Sequence, residues 1–435
     1  MSPQFQWSPC PDGQLLLDEI IEEIMGMHPQ LKELRERMLK KTGTRFFDWI
    51  NHLTVPKDLG FEQRLKNAEF FLHSQAVYSH PGAIFPSVIT HSDSWEICLK
   101  VENLEDFIEK HGSEAIPTAP GSVRTCKISS ENGATLSAIE SYGSRSLTAQ
   151  PSDKFTEEYQ IALQLFRNRS RHMQDFTHLT TLAQQSVDRL GTGRAAAAFF
   201  QAEREFWMSR NAAARAQHAR QQSLGLGWAN HDHHTYRCRR EDFSNMIAVF
   251  ELLGCFCRER FYAGKEAGWG AQVMENPEAG IVIFADVDMT PDEVLGDFSH
   301  VPLPTRHELG TVGLWCELHG NSLFESGMHH LECQFDFEAL ALGLKQDANI
   351  DVMPAFSNLP HLKQQFTDGE RWEIAPARIH LLLKTSRITT QQAEAFRLKG
   401  AIGSHLENLE RNDGFKGFNQ SGINEIIQAT DPRKA

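Results

Sequence analysis

A histidine and an arginine four residues apart, in the run Asp232-His233-His234-Thr235-Tyr236-Arg237, are the residues of this chain best placed to do chemistry. The run is β-branched and aromatic, and alternation along a strand points His233 and Arg237 to one side. Their backbones would then lie roughly 13 Å apart. An imidazole can hold a divalent metal, and a guanidinium can grip a carboxylate through two parallel hydrogen bonds. One small substrate could engage both. Taken alone, the run equally fits a polar strand end carrying surface histidines. Tyr236 falls on the opposite face and reads as core.

Two further segments offer histidines in the same way. In Met328-His329-His330-Leu331-Glu332-Cys333-Gln334-Phe335, Leu331, Cys333 and Phe335 share an apolar face, while His330, Glu332 and Gln334 share the other. In Arg378-Ile379-His380-Leu381-Leu382-Leu383, read as a strand, His380 stands opposite Ile379, Leu381 and Leu383. Histidines on the non-core faces of separate strands are the raw material of an imidazole-rich site for Fe, Zn, Mn or Ni. A lone strand histidine is more often merely hydrogen-bonded, so spacing alone does not establish a site. Cys255-Phe256-Cys257 would put two sulfurs on one strand face, a weaker metal signal.

Several elements must hold these residues. Residues 1–45 carry a helical lead, with Leu15, Leu16, Ile20, Ile21, Ile24 and Met25 at helical spacing. Residues 46–150 read as a mixed α/β unit: strands over 46–55 and 95–101, and a short helix between an Asn103 cap and a Gly112 stop. Two more strands flank Asn132-Gly133, a hairpin signal. Residues 151–225 are alanine- and arginine-rich and read as a helical spacer; its arginines alternate with glutamates, as on a solvated helix face. Residues 226–430 follow with a helix ending at Gly254, then strands over 255–262, 271–274 and 281–286. Thr290-Pro291-Asp292-Glu293 reads as a capped helix start, and Phe366-Thr367-Asp368-Gly369 as a hairpin.

Composition bounds the function. The chain of 435 residues has 43 basic and 57 acidic side chains, a formal charge of −14, which argues against a nucleic-acid or anionic-membrane surface. No apolar run is long enough to span a membrane and no signal peptide is visible, so a cytoplasmic location is expected. Eight scattered cysteines read as thiols rather than disulfides. The spacer helices leave a homodimer open.

The Asp232-His233-x-x-x-Arg237 run resembles the opening motif of the 2-oxoadipate dioxygenase/decarboxylase family, within the vicinal-oxygen-chelate superfamily. The order of the helix ending at Gly254, the strand over 280–286, the His330 strand and the Asp368-Gly369 turn is similar too, over residues 228–400. The resemblance implies an α+β fold of paired βαβββ modules, glyoxalase-like, with a helical spacer. It implies a metal-dependent enzyme acting on a 2-oxo acid, with Fe(II) favoured over Zn, Ni or Mn. His233 and His330 would be metal ligands, and Arg237 would hold the substrate carboxylate. The family's third ligand is a glutamate in the strand after the Asp-Gly turn. Read as that strand, residues 377–381 have no carboxylate, which leaves His380 or Glu332 to complete the site, or the site without metal. A glyoxalase-like lyase or epimerase, with Glu140 or Glu332 moving the proton, and a non-catalytic binder of the same fold are the other readings. His52, Glu96 and Glu140 occupy positions that resemble a second ligand set in the N-terminal module, against the simpler reading of solvated carboxylates.

Overall fold

The computed structural model describes residues 7–419 and 430–434, apart from residues 75, 92, 93, 113, 173, 265 and 266. Two mixed sheets form its frame, each built from two related units. The first sheet contains β1 (Ile50–Val55), β2 (Phe71–Ser74), β3 (Val77–Ser79), β4 (Ser87–Thr90), β5 (Trp95–Val101), β6 (Gly121–Glu131), β7 (Ala134–Ser141) and the stub β8 (Gln150–Pro151). Its order is β2-β3-β4-β1-β5-β7-β6-β8. The first unit is a complete βαβββ: β1, the helix Leu59–Asn67, then β2, β3 and β4, with β4 returning parallel to β1. The second keeps β5, the helix Leu104–His111, β6 and β7, with β7 parallel to β5. The Asn103 side chain caps that helix and Gly112 ends it in the left-handed region, as the sequence predicts. Asn132 and Gly133 both take positive φ in the β6–β7 turn, the requirement of a tight hairpin.

The second sheet contains β9 (His231–Arg237), β10 (Phe256–Tyr262), β11 (Trp269–Asn276), β12 (Ile281–Asp288), β13 (His330–Gln334), β14 (Ser357–Leu359), β15 (Leu362–Phe366), β16 (Glu370–Trp372) and β17 (Ala401–Arg411). Its main path is β10-β11-β12-β9-β13-β17-β15-β14, with β16 joined to β17. Again two βαβββ units meet, β9 through β12 and β13 through β17. The closing strand of each is parallel to its first strand, and the two first strands, β9 and β13, pair antiparallel at the centre. The expected fold class, α+β with paired βαβββ modules and a helical spacer, is therefore the observed one.

The helical segments are layers on these sheets. Helices Pro11–Met27 and Pro29–Thr42 place Leu17, Ile20, Ile24, Leu31 and Met38 in the core of the first sheet. The spacer is four helices, Phe155–Arg167, Phe176–Leu190, Thr192–Ser209 and Ala212–Gln222, packed on the back of the second sheet. There His234 and Tyr236 of β9 meet Phe200, and Leu331 and Cys333 of β13 enter the same core. Tyr236 is thus core, and the alternation along β9 leaves His233, Thr235 and Arg237 on the opposite, inner face. Among the described residues no helix is long and apolar enough to cross a membrane, and all eight cysteines are unpaired.

Three expected elements take other forms. Residues 378–383 are not a strand: Pro376 opens a helix, Pro376–Lys384, whose buried side is Ile379 and Leu382. Three-residue spacing between those two apolar positions is the helical signal, and Pro at the first position fits it. Asp368-Gly369 does not close a hairpin, because β15 and β16 on either side both pair with β17 rather than with each other. Thr290–Glu293 starts only a single turn, Glu293–Leu295. The Glu293 carboxylate accepts the Thr290 N–H but is also held by Arg240, which takes up its remaining oxygen.

Candidate metal centre

Three strands at the centre of the second sheet bring two imidazoles and a carboxylate together. β13 lies between β9 and β17, and the registers pair Glu332 with His233 on one side and with Glu407 on the other. One step along, His330 faces Thr235 and His405. Because the period of a strand is two, all of these side chains emerge on the inner face. His330 Nε2 lies 3.0 Å and His233 Nε2 3.9 Å from Glu407 Oε2. One donor atom from each of the three lies within 4.8 Å of the others, and all three residues are buried. Two neutral nitrogens and one carboxylate on one side of a site are a donor set for Fe(II), Zn, Mn or Ni.

The surroundings fit a cation at that point. Glu332 Oε1 sits 2.7 Å from His233 Nδ1, the ring nitrogen turned away from Glu407. A carboxylate behind a ligating histidine fixes its tautomer and leaves the other nitrogen free to bind metal. The two atoms form a buried ion pair. Gln364 donates to Glu332 and Glu407, at 2.9 and 3.1 Å. His330 Nδ1 is 2.8 Å from His329 Nδ1, and its Nε2 is 2.8 Å from the Thr235 hydroxyl. Arg411 grips Asp232 through two nitrogens, at 2.9 and 3.0 Å, tying the first strand of one unit to the last strand of the other.

Burial and neighbouring charges set the ionisation of these donors. Burial, reinforced by Glu332, pushes the Glu407 carboxyl well above the usual carboxylate range. Burial, with the charges of His233 and Arg237 nearby, drives His330 well below the usual imidazole range. Burial opposes a charge on His233 as well, but Glu332 and Asp232 overcome it and lift that imidazole to about 9. The cluster is thus crowded with groups whose ionisation a divalent cation would reorganise: it favours the Glu407 carboxylate and competes with the proton on His233. The donors present fit a metal ion.

Arg237, two turns of the pleat from His233, is 4% exposed. Its Nε lies 3.8 Å from Asp286 Oδ2, and its guanidinium stands 5.5 Å from the centre of the Trp315 ring. Nε and Nη1 are buried with no hydrogen-bond partner. Burial raises the Asp286 carboxyl to about 7, against the pull of Arg237 and His233, so this neighbour is a weak counter-ion. A buried guanidinium with two unfilled donor directions invites an anion. Apolar rings frame the space between: centre to centre, Phe284 lies 4.3 Å from His233, Phe366 5.1 Å from His330, and Phe418 5.0 Å edge-on to Phe284.

His380 does not reach this centre. It is exposed on the helix Pro376–Lys384, and the third donor is Glu407. Glu332 is a neighbour of the site, placed behind His233. The glutamate after the Asp-Gly turn was displaced from its expected position because two helices, Pro376–Lys384 and Thr390–Lys399, are inserted before the closing strand. The signal for it lay in Ser404-His405-Leu406-Glu407, where His and Glu alternate with a buried Leu. Changing Glu332 to Gln is expected to keep the fold and the three donors while weakening metal binding by about 10–100-fold, read by competition with a chelator. Unchanged affinity would remove Glu332 from the site.

The N-terminal candidates do not assemble. His52 pairs in register with Cys98, and its Nδ1 lies 2.8 Å from the Asn51 side chain. Glu96 accepts a hydrogen bond from Thr54, and burial holds His52 near 4 despite Glu96. Glu140 is registered with Val101, farther along β5, where it accepts the Leu104 N–H at the start of a helix and faces Arg124. The register thus turns Glu140 to the opposite face of the sheet from His52 and Glu96.

No family profile matches the chain, and no curated protein does. Among solved structures it is similar to a putative hydrolase from Shewanella frigidimarina (13% identity, TM-score 0.34, over 51% of this chain and 96% of that one). A 4-hydroxymandelate synthase variant from Streptomyces coelicolor matches at 12% identity and TM-score 0.28, over 89% and 99% of the two chains. Methylmalonyl-CoA epimerase from Mycobacterium tuberculosis matches at 12% and 0.24, over 42% and 88%. These scores are low, and the fold described above rests on strand order and register alone.

Proposed function

We propose that this protein is a metal-dependent enzyme of the vicinal-oxygen-chelate type that acts on a small 2-oxo acid, as a non-haem iron dioxygenase/decarboxylase. The observation that carries the reading is the convergence of His233, His330 and Glu407 from three adjacent strands, with Arg237 unfilled on the same face. A two-histidine, one-carboxylate set holds an ion by one side and leaves positions for substrate and dioxygen. Iron bound there would supply Lewis acidity toward the keto acid and the redox chemistry of oxygen. The protein's own part is placement. Arg237 binds the acid's carboxylate in a fork that Trp315 backs from one side. Phe284 and Phe366 exclude water beside the donors, and Glu332 holds the His233 ring in the orientation that presents Nε2.

Elemental analysis of the purified chain, beside the double variant His233→Ala/His330→Ala, tests the reading. Near-stoichiometric iron that is lost in the variant, with oxygen uptake driven by a 2-oxo acid, is the expected result. Zinc, nickel or manganese at the same residues without oxygen uptake would replace it with a lyase or epimerase. Absence of any bound metal after reconstitution would leave a binding scaffold.

A further inference from the structure

Away from the central strands, three different metal-binding side chains meet at one edge of the second sheet. Glu251 comes from the helix Phe243–Leu252, Cys257 from the edge strand β10, and His300 from the loop after residue 295. His300 Nε2 lies 2.9 Å from Glu251 Oε1, and Cys257 Sγ lies 4.0 Å from the same oxygen. One donor atom of each is within 4.8 Å of the other two. Behind the imidazole, Asp297 holds Nδ1 at 2.9 and 3.0 Å, so the ring presents Nε2 to the other two donors.

A charged surface histidine between two carboxylates accounts for part of this arrangement. Glu251 and Asp297 raise the His300 imidazole as such pairs do. It does not account for the half-buried thiol that shares the Glu251 oxygen. A sulfur, an imidazole nitrogen and a carboxylate oxygen, with a carboxylate behind the histidine, match the ligand types and the outer shell of zinc sites.

We propose that Glu251, Cys257 and His300 form a second metal site, for a borderline-soft divalent cation of the zinc type, with water completing the coordination. Its three donors lie on a helix, an edge strand and a loop, so the ion would clip these segments together. The central site contains no sulfur, which separates the two experimentally. Cobalt(II), added to the full chain, reports thiolate ligation by a near-ultraviolet charge-transfer band. The expected result is one such band, bleached by one equivalent of zinc and absent in Cys257→Ser. It should persist in Cys255→Ser and in Glu407→Gln. His300→Ala should weaken the cobalt affinity by at least ten-fold, and Asp297→Asn by about 10–100-fold. Cys257, Asp297 and His300 are at least partly exposed and Cys255→Ser and Glu407→Gln preserve side-chain shape, so the variants should fold, which circular dichroism checks. No thiolate band in the wild-type chain, or a band that survives Cys257→Ser, overturns the proposal. So does a band lost in Glu407→Gln.

Discussion

Glu407→Gln is expected to abolish metal-dependent activity while leaving the metal-free fold as stable as before, or more so. Gln keeps the shape of the side chain and can still meet Gln364, which donates to Glu407 at 3.1 Å. What disappears is a carboxyl that burial and the neighbouring Glu332 already bias toward its neutral form, well above the ordinary carboxylate range. Without metal, a neutral amide therefore replaces a group that is already poised to be neutral. With metal, the substitution deletes the only anionic ligand of the three, a loss of about 3–5 kcal/mol, roughly a thousand-fold in affinity. Two thermal melts distinguish these effects. Wild type should rise in Tm on adding metal, by an amount set by ligand concentration over Kd, and the variant should show no rise at the same concentration. An equal metal-induced rise in both proteins would exclude Glu407 as a ligand.

The second large effect is expected at Arg237. Arg237→Lys keeps the positive charge and should retain the full metal content, because none of the three donors touches it. The ammonium cannot reproduce a planar fork, nor rest on Trp315 in the same way. Two charge-assisted hydrogen bonds to a carboxylate become at most one, a cost of about 1.5–3 kcal/mol. Binding of a 2-oxo acid, followed by displacement or by KM, should weaken by roughly 10–100-fold. Arg237→Met would go further and remove the buried charge altogether. Substrate affinity that is unchanged in Arg237→Lys would assign Arg237 to the fold, with Asp286 as its structural partner.

Much of this architecture was legible in the chain, and the unread part has a physical cause. Alternation in His330–Gln334 separated the polar inner face from Leu331 and Cys333, and the structure reproduces that division. The Asn103 cap, the Gly112 stop and the Asn132-Gly133 turn are local signals that tertiary contacts did not override. Arg378–Leu383 reads equally well as a strand because its four apolar residues in six satisfy either period. Only Pro376 and the Ile379–Leu382 spacing favoured the helix. That one misreading moved the expected third ligand to His380 and hid Glu407, which lies beyond two inserted helices. The capping role of Glu140 was hidden too, since no local pattern tells a helix-capping carboxylate from a ligand two strands away.

The central antiparallel pair of strands also has a geometric consequence. A half-turn about the axis between β9 and β13 that carries His233 onto His330 carries Thr235 onto Glu332, because these residues pair crosswise in register. Glu407 is the β17 neighbour of Glu332, and its counterpart under the same rotation is the β12 neighbour of Thr235, which is Phe284. A perfectly duplicated sheet would therefore surround an ion with four donors, two from each half. Phenylalanine at position 284 breaks that equivalence. It offers no lone pair, and its ring lies 4.3 Å from His233. If an ion binds as proposed, the asymmetry between the halves would leave one of its flanks without a protein donor and line that flank with an aromatic wall.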